Sequence, residues 1–284
     1  MTRPIRLAHS PDSDDAFMFY ALAAGKIGTG ERRYEHELAD IETLNQRALR
    51  GELDVTAVSI HAFAHLIDRY ALLPHGGSVG DGYGPCLVGR EPAPTDPRRT
   101  TASKRVAIPG PLTTAALALT LYQPDAATVV VPFDAIEDAV ASGDVELGLL
   151  IHEGQLTHAD RGLHLWADLG AWWHAETTLP LPLGGNAIRR DLGPDLIAAV
   201  SEDLRTSIVY GLEHREEALS YAMDFARDLN RSQADRFVGM YVNEFTVEYG
   251  ARGRRAIHTL LERGAAAGIV PSVTAPLFAD DGAA

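Results

Sequence analysis

Short apolar runs alternate with longer amphipathic segments along the first part of the chain. The runs have the length and composition of buried strands, and the longer segments repeat their apolar positions with the period of a helix. Strands are predicted at Arg6–His9, Tyr34–Leu38, Val55–Ser59 and Cys86–Gly89. Helices are predicted between the strands, at Asp14–Gly25, Ile41–Arg50 and Ile60–Arg69.

The alternation stops at residues 90–103, where three prolines and the lack of a period predict a connection. It then starts again. Strands are predicted at Arg105–Ile108, Thr128–Val131, Leu147–Ile151, Leu163–Leu169 and Gly185–Arg190. Helices are predicted at Thr113–Leu121, at Ala135–Ala141, around Trp172 and, after Pro194, near 194–214, 215–228, 231–245 and 250–267.

The two halves of this pattern resemble each other. Leu7–Asp14 and Val106–Thr114 each join the end of a strand to a proline turn and a polar helix start, and Gly51–Ser59 and Gly143–Ile151 are similar third strands. Strands that alternate with helices predict sheets covered by helices on both faces. We therefore predict an α/β protein of two lobes, with residues 1–95 and 190–284 in lobe 1 and residues 96–189 in lobe 2.

Composition narrows the class of protein. A length of 284 residues with 46% hydrophobic residues suffices for two lobes with buried cores. The chain lacks an apolar run near the ~18 residues of a membrane span, and its first residues lack the apolar region of a secretory signal. Cys86 is the single cysteine, which excludes an internal disulfide and a cysteine zinc cluster. These features predict a cytoplasmic protein that does not bind membranes.

Charge argues against one class of partner. The formal net charge is −14, and the basic clusters are short and scattered, so a nucleic-acid partner is not expected. The helical C-terminal region can pack on the first lobe or form a homodimer interface.

Ligands of open α/β sheets bind beyond the carboxyl ends of the strands. If two such lobes face each other, four loops meet at one cleft: Ser10–Asp15, Ser59–His61, Pro109–Thr114 and His152–Gln155. The third loop opens a helix, whose free N–H groups and dipole attract anions, and Thr113 or Thr114 can add a hydroxyl donor. An ordinary threonine N-cap is the alternative interpretation.

His152 follows an apolar strand and is expected to face the cleft. A neutral imidazole can act as a general base near neutral pH. Glu153 can orient it or favour the start of a helix. On position alone, a purely structural histidine remains an alternative.

The loop before the first helix contains Asp12, Asp14 and Asp15. Aspartates at a helix start stabilise it by capping, which accounts for much of this cluster. A metal site needs more oxygen ligands at ordered spacing, so none is predicted. Ser10 and Asp14 are instead candidates for hydrogen bonds to a ligand.

Several segments, in order over nearly the whole chain, resemble one family, the 1,4-dihydroxy-6-naphthoate synthases of the futalosine route to menaquinone. The most specific are Ile151–Gln155, with its His-Glu-Gly sequence, and Leu179–Gly184, which reads Leu-Pro-Leu-Pro-Leu-Gly. The others are Asp15–Leu22, Asp40–Asn45, Pro109–Ala115, Asp168–Trp173 and Tyr241–Glu244.

The resemblance implies a two-lobed fold like that of type II periplasmic binding proteins, with a mixed, mostly parallel sheet in each lobe. It implies a carbon–carbon lyase that converts cyclic dehypoxanthine futalosine, a small anionic aromatic substrate, to 1,4-dihydroxy-6-naphthoate without an organic cofactor or metal. The family's proposed base falls on His152 and its paired threonines on Thr113 and Thr114. Ser59, Asn45 and Glu153 are also expected to bind substrate.

One cleft loop departs from the family. Many members begin Ser-Pro-Cys-Pro-Asn-Asp-Thr-Phe, whereas this chain has Ser-Pro-Asp-Ser-Asp-Asp-Ala-Phe at Ser10–Phe17. Three alternatives therefore stay open: the sister enzyme chorismate dehydratase, a solute-binding protein of the same fold for a small carboxylate, and a cytosolic binding or sensor protein without catalysis. The His-Glu-Gly sequence favours the synthase.

Overall fold

The computed structural model describes residues 3–226, 229–274 and 276–281, which form two β-sheets flanked by helices. The strands are β1 Ile5–His9, β2 Tyr34–Leu38, β3 Val55–Ser59, β4 Tyr70–Leu72, β5 Ser78–Gly80, β6 Cys86–Gly89, β7 Arg105–Ile108, β8 Ala127–Val130, β9 Leu147–Leu150, β10 His164–Asp168 and β11 Leu181–Arg189.

Helices connect most of these strands and form the C-terminal region. They are α1 Ser13–Ala23, α2 Ile41–Arg50, α3 Ile60–Phe63, α4 Pro97–Thr101, α5 Thr114–Tyr122, α6 Ile136–Ser142, α7 Gly154–Thr157, α8 Leu169–Thr177, α9 Pro194–Glu213, α10 Arg215–Ala222, α11 Arg231–Tyr241, α12 Glu244–Val247 and α13 Gly250–Ala266.

The two sheets repeat one topology, as the internal similarity predicted. The first has the order β2-β1-β3-β11-β4, with β5 also paired to β11, and the second has the order β10-β6-β9-β7-β8. In each sheet three successive strands are parallel (β1, β2 and β3; β7, β8 and β9). In each, an antiparallel strand from the other half of the chain follows, β11 beside β3 and β6 beside β9.

The chain crosses between the sheets twice, between β5 and β6 and between β10 and β11. Sheet membership therefore changes before residue 86 and again before residue 181, whereas the predicted lobe boundaries lie at 95/96 and 189/190. Parallel strands place their carboxyl ends at one edge of each sheet, and the crossings set these two edges against each other.

Helix α1 joins the first sheet to the C-terminal helices. Its side chains Phe17, Met18 and Phe19 are almost fully buried, and it packs against α9, α10 and α11. Asp12 is the N-cap of this helix, because its backbone is extended and its side chain accepts a hydrogen bond from Asp15 N–H. This cap fixes the start of α1, which lies at the cleft.

The sequence pattern missed several short elements. The helix predicted over Ile60–Arg69 ends at Phe63, after which i to i−3 hydrogen bonds form tight turns that lead into β4. Within the predicted connection, Asp96 caps α4 and Pro97 occupies its first turn, an arrangement that favours helix starts.

Two further differences concern prolines and caps. Strand β11 begins at Leu181, before the predicted Gly185, and tolerates Pro182 because its pairing with β5 is irregular there. The helix predicted over 231–245 ends at Tyr241, because Asn243 caps a separate helix with a reciprocal capping box. The last two residues of the helix predicted over 215–228 lie outside the described residues. Within the described ranges, no helix is both long and apolar enough to cross a membrane.

Candidate active site

A cavity lies between the two sheets, at the carboxyl ends of β1, β3, β7 and β9. Each of the four predicted cleft loops contributes to its lining, through Ser10, Ser59, Thr113 and His152 among others. The prediction that these loops share one cleft is therefore confirmed. Much of the remaining wall is apolar and includes Ile41, Ala57, Val58, Pro85, Ala115, Ile151, Leu183 and Phe237.

His152 lies at the end of the buried strand β9, directly after Ile151. Its backbone has a φ of 54°, a left-handed conformation that is uncommon for a residue with a side chain. Imidazole Nδ1 is 3.0 Å from Asp12 Oδ2, and the ring meets Phe133 edge to face at 5.0 Å between centroids. Strain of this kind is common at functional sites, where surrounding contacts hold it in place.

The negative charges around His152 raise the pKa of its imidazole. Burial lowers the pKa of His152, but the charge of Asp12, the hydrogen bond to Asp12 and the charges of Glu153 and Asp15 raise it above its usual value. Burial also raises the pKa of Asp12, but the charge of His152 and hydrogen bonds from neighbouring groups lower it to about 2. Asp12 is thus the ionised partner of the imidazole.

The pKa values of the other two aspartates of this loop are shifted in the opposite direction to that of Asp12. Burial and the negative charges of Asp12 and Asp15 raise the pKa of Asp14 well above its usual range. Burial and the charge of Asp12 likewise raise the pKa of Asp15, whose Oδ2 accepts a hydrogen bond from Ser10 N–H at 2.8 Å. Neighbouring buried carboxyl groups cannot all ionise, so protonated carboxyls accompany the ionised Asp12.

Asp14 also presents an unused hydrogen-bonding atom to the cavity that it lines. Its Oδ1 is buried, and among the described residues it has no hydrogen-bond partner. Buried polar atoms are usually paired, so an unpaired one at a cavity wall is suited to a ligand. Donor atoms of Asp12, Asp14 and His152 lie within 4.8 Å of one another, a spacing that a metal ion can bridge; here Asp12 and His152 are hydrogen-bonded directly.

We expect Asp14→Asn to stabilise the protein at neutral pH. A carboxyl whose folded pKa is raised binds its proton more tightly in the folded state, so stability falls as pH rises from the unfolded pKa of about 4 toward the folded pKa. The isosteric amide lacks this dependence. The free energy of unfolding should therefore rise by about 1 kcal/mol at pH 8, with a smaller gain at pH 5.

Urea denaturation at the two pH values measures this effect. Asp160→Asn, at an exposed position, is the control and should change the free energy of unfolding by less than about 0.5 kcal/mol. Equal effects of Asp14→Asn at both pH values would rule out a raised Asp14 pKa.

The predicted threonines are both at the start of α5, but their hydroxyl protons are already used. Thr113 Oγ1 donates to Gly110 O at 2.8 Å and caps the helix by accepting from Ala116 N–H. Thr114 Oγ1 donates to Leu183 O and accepts from His61 N–H. What the helix start offers an anion is therefore its backbone N–H groups and dipole, rather than the hydroxyls predicted from sequence.

Two predicted substrate-binding residues lie outside the cavity lining. Asn45 is fully buried behind Ser59, where its amide donates to Ser59 Oγ at 3.0 Å and accepts from Ser59 N–H at 2.9 Å. Asn45 thus holds Ser59, whose hydroxyl proton can be donated into the cavity. Glu153 is buried at the start of α7, where it accepts from Ser13 Oγ at 3.5 Å.

Asp12, Gln155 and Tyr241 also line the cavity, although the sequence does not single them out as site residues. The Gln155 amide is 2.6 Å from Tyr241 Oη, and both residues line the cavity. Tyr241 ends α11 of the C-terminal helical region and Gln155 lies in α7, so this contact joins α11 to the short helix that follows β9. The segment Tyr241–Glu244 had a signal, because it is among those that resemble the synthase family.

The arrangement defines a class of protein: two linked α/β sheets of the periplasmic-binding-protein type, with a histidine–carboxylate pair in the cleft between them. The fold is shared with a Candida albicans gene product described as having the generic periplasmic binding protein fold, with a TM-score of 0.70, 14% identity and coverage of 96% of this chain and 92% of that one. The alkanesulfonate-binding protein of Xanthomonas axonopodis pv. citri gives the same TM-score at 12% identity, with 96% of each chain covered. The predicted type II fold is confirmed.

More similar proteins identify the family. A family model described as menaquinone biosynthesis matches residues 5–266. The 1,4-dihydroxy-6-naphthoate synthase of Thermus thermophilus is 42% identical, with 96% of this chain and 98% of the relative covered, and that of Streptomyces coelicolor is 39% identical, with 95% of each covered. A solved structure from Archaeoglobus fulgidus has a TM-score of 0.90 and 46% identity, with 94% of this chain and 98% of that one covered.

The chain belongs to the menaquinone biosynthesis family. The resemblance found in the sequence is thereby confirmed.

Proposed function

We infer that the protein is a 1,4-dihydroxy-6-naphthoate synthase, a lyase of menaquinone biosynthesis by the futalosine route. Relatives with this activity align over nearly the full length of the chain. The observation that carries the mechanism is the imidazole of His152, which lines the cleft and is hydrogen-bonded through Nδ1 to Asp12. Its second nitrogen is thus left to act on a substrate.

The reaction is a base-initiated carbon–carbon cleavage of cyclic dehypoxanthine futalosine. His152 Nε2 accepts a proton from the sugar-derived part of the substrate, and aromatisation of the released naphthoate drives the reaction forward. Removing the reacting group from water and holding it against the base supplies much of the rate.

Recognition of the substrate is divided between the two sides of the cavity. The N-terminus of α5, at Thr114 and Ala115, attracts the substrate carboxylate, because N–H groups and the helix dipole favour negative charge there. Ser10, Ser59 and Asp14 supply hydrogen bonds to hydroxyl and carbonyl groups. The apolar wall, including Val58, Leu183 and Phe237, suits the aromatic ring.

Genetic complementation tests this function. The host is a bacterium that makes menaquinone by the futalosine route and that lacks its own synthase gene. Expression of the protein is expected to restore menaquinone, and an empty vector is not. Added 1,4-dihydroxy-6-naphthoate should rescue both strains, which shows that only this step is missing. Failure to rescue by a well-expressed, folded protein would contradict the assignment.

Two expectations from the sequence stay predictions. One is a cytoplasmic location, which suits a biosynthetic enzyme with a small anionic substrate. The other is the alternative in which the C-terminal helical region forms a homodimer interface rather than only packing on the first lobe.

A further inference from the structure

Asp12 reaches His152 across the cleft. Asp12 follows β1 of the first sheet and is the N-cap of α1, whereas His152 follows β9 of the second sheet. Their bond of 3.0 Å therefore joins the two sheets, and it exists only when the sheets are held as they are in this structure. Asp12 is 6% exposed, so water competes little for its carboxylate.

The carboxylate is fixed from a second direction. Its Oδ1 accepts the N–H of Asp15 at 3.2 Å, which leaves Oδ2 aimed at the imidazole. The start of α1 thus determines where Oδ2 lies. On the other side, the left-handed backbone of His152 and its edge-to-face contact with Phe133 set the position of the imidazole.

One tautomer of His152 fits this geometry. An ionised carboxylate only accepts hydrogen bonds, so the imidazole nitrogen that faces it carries the proton. Nδ1 is therefore the donor, and Nε2 of the neutral ring keeps its lone pair. A ring with the proton on Nε2 would place two acceptors 3.0 Å apart.

We propose that Asp12 is a positioning residue that holds His152 in the tautomer whose Nε2 is basic, from the opposite side of the cleft. The proposal rests on the proposed function only in naming His152 as the base. It assigns to Asp12 a role beyond capping α1, and it explains why an aspartate at this point of the loop is useful to the reaction.

The surrounding charges agree with this role. The titratable groups that face His152 are Asp12, Asp14 and Asp15 from the loop before α1 and from its first turn, together with Glu153 beside it in the chain. Of the three aspartates, Asp12 has the pKa that is lowered, whereas the pKa values of Asp14 and Asp15 are raised. The ionised carboxylate is thus the one that contacts the imidazole.

Asp12→Asn tests the proposal. Asparagine caps helices as well as aspartate does, so α1 is expected to keep its start. Its amide N–H₂ donates to Nδ1, however, which moves the ring proton to Nε2 and removes the base. We expect kcat to fall by about 10²–10⁴-fold, with a much smaller change in KM.

Nuclear magnetic resonance of ¹⁵N-histidine in the ligand-free protein measures the tautomer directly. His152 is assigned among the 11 histidines by the signal that His152→Gln lacks. In the parent protein, the neutral ring should carry its proton on Nδ1 and have a pKa above the usual value. In Asp12→Asn the proton should move to Nε2 and the pKa should fall, because the negative charge is lost.

Two further variants separate this role from a structural one. Asp12→Ser keeps a capping side chain but lacks the carboxylate, so it should also lower the His152 pKa. Asp96→Asn changes a similar cap at the start of α4 and should leave the His152 signals unchanged.

The outcomes are distinct from those that test the proposed function. If Asp12→Asn changes neither the ¹⁵N spectrum of His152 nor its dependence on pH, the proposal is overturned, whether or not the parent converts the substrate. A shifted tautomer in a protein that converts no substrate supports the pairing and contradicts the lyase assignment instead.

Discussion

Replacing His152 with alanine is expected to lower kcat by about 10²–10⁴-fold, the usual contribution of a general base. The substitution removes the proton acceptor but leaves the start of α5 and the apolar wall in place, so KM should change much less than kcat. Steady-state rates of naphthoate formation, measured by mass spectrometry, give both constants.

His164→Ala is the matched control for this change. His164 lies on the edge strand β10 and is exposed, so its loss should leave the parental rate. Circular dichroism of both variants shows whether each is folded. If folded His152→Ala kept the parental kcat, His152 could not be the base.

Gly170→Ala is expected to destabilise the protein by about 3 kcal/mol, the upper end of the usual cost of overpacking. A Cβ at Gly170 would lie 1.9 Å from Tyr83 O and 2.5 Å from Gly84 N. These are backbone atoms, so no side chain can rotate away. The clash falls where the chain leaves the first sheet, beside the bond from Leu169 N–H to Pro85 O at 3.0 Å.

Thermal and urea unfolding of Gly170→Ala measure this cost. Gly28→Ala is the control, because a Cβ there meets nothing within 4 Å, and it should stay within about 0.5 kcal/mol of the parent. A Gly170→Ala protein as stable as Gly28→Ala would show that the two backbone segments do not pack this closely.

The fold was largely predictable because its long elements have clear periods and its two halves repeat. The start of α1, the strand β3 and the strand β9 were all found within a residue or two. The elements that the sequence did not predict are short or contain residues that are typical of a different secondary structure. Pro182 argues against a strand, and the turns after Phe63 look helical because their apolar spacing continues past the last helical hydrogen bond.

The site was predictable in part. Loops at strand ends were recognised from topology, and the resemblance pointed to His152. Asp12 was missed because helix capping already accounts for an aspartate before α1, and its bond to His152 depends on how two distant segments meet. Asn45 was expected to bind substrate, and the structure adds a contact that the sequence could not show, because its amide hydrogen-bonds Ser59.

Whether the protein is a synthase is tested by giving the purified protein cyclic dehypoxanthine futalosine and, separately, chorismate, and following the products by mass spectrometry. We expect 1,4-dihydroxy-6-naphthoate to appear from the first substrate and chorismate not to be consumed. Folded protein that forms no naphthoate, or that dehydrates chorismate instead, would contradict the assignment.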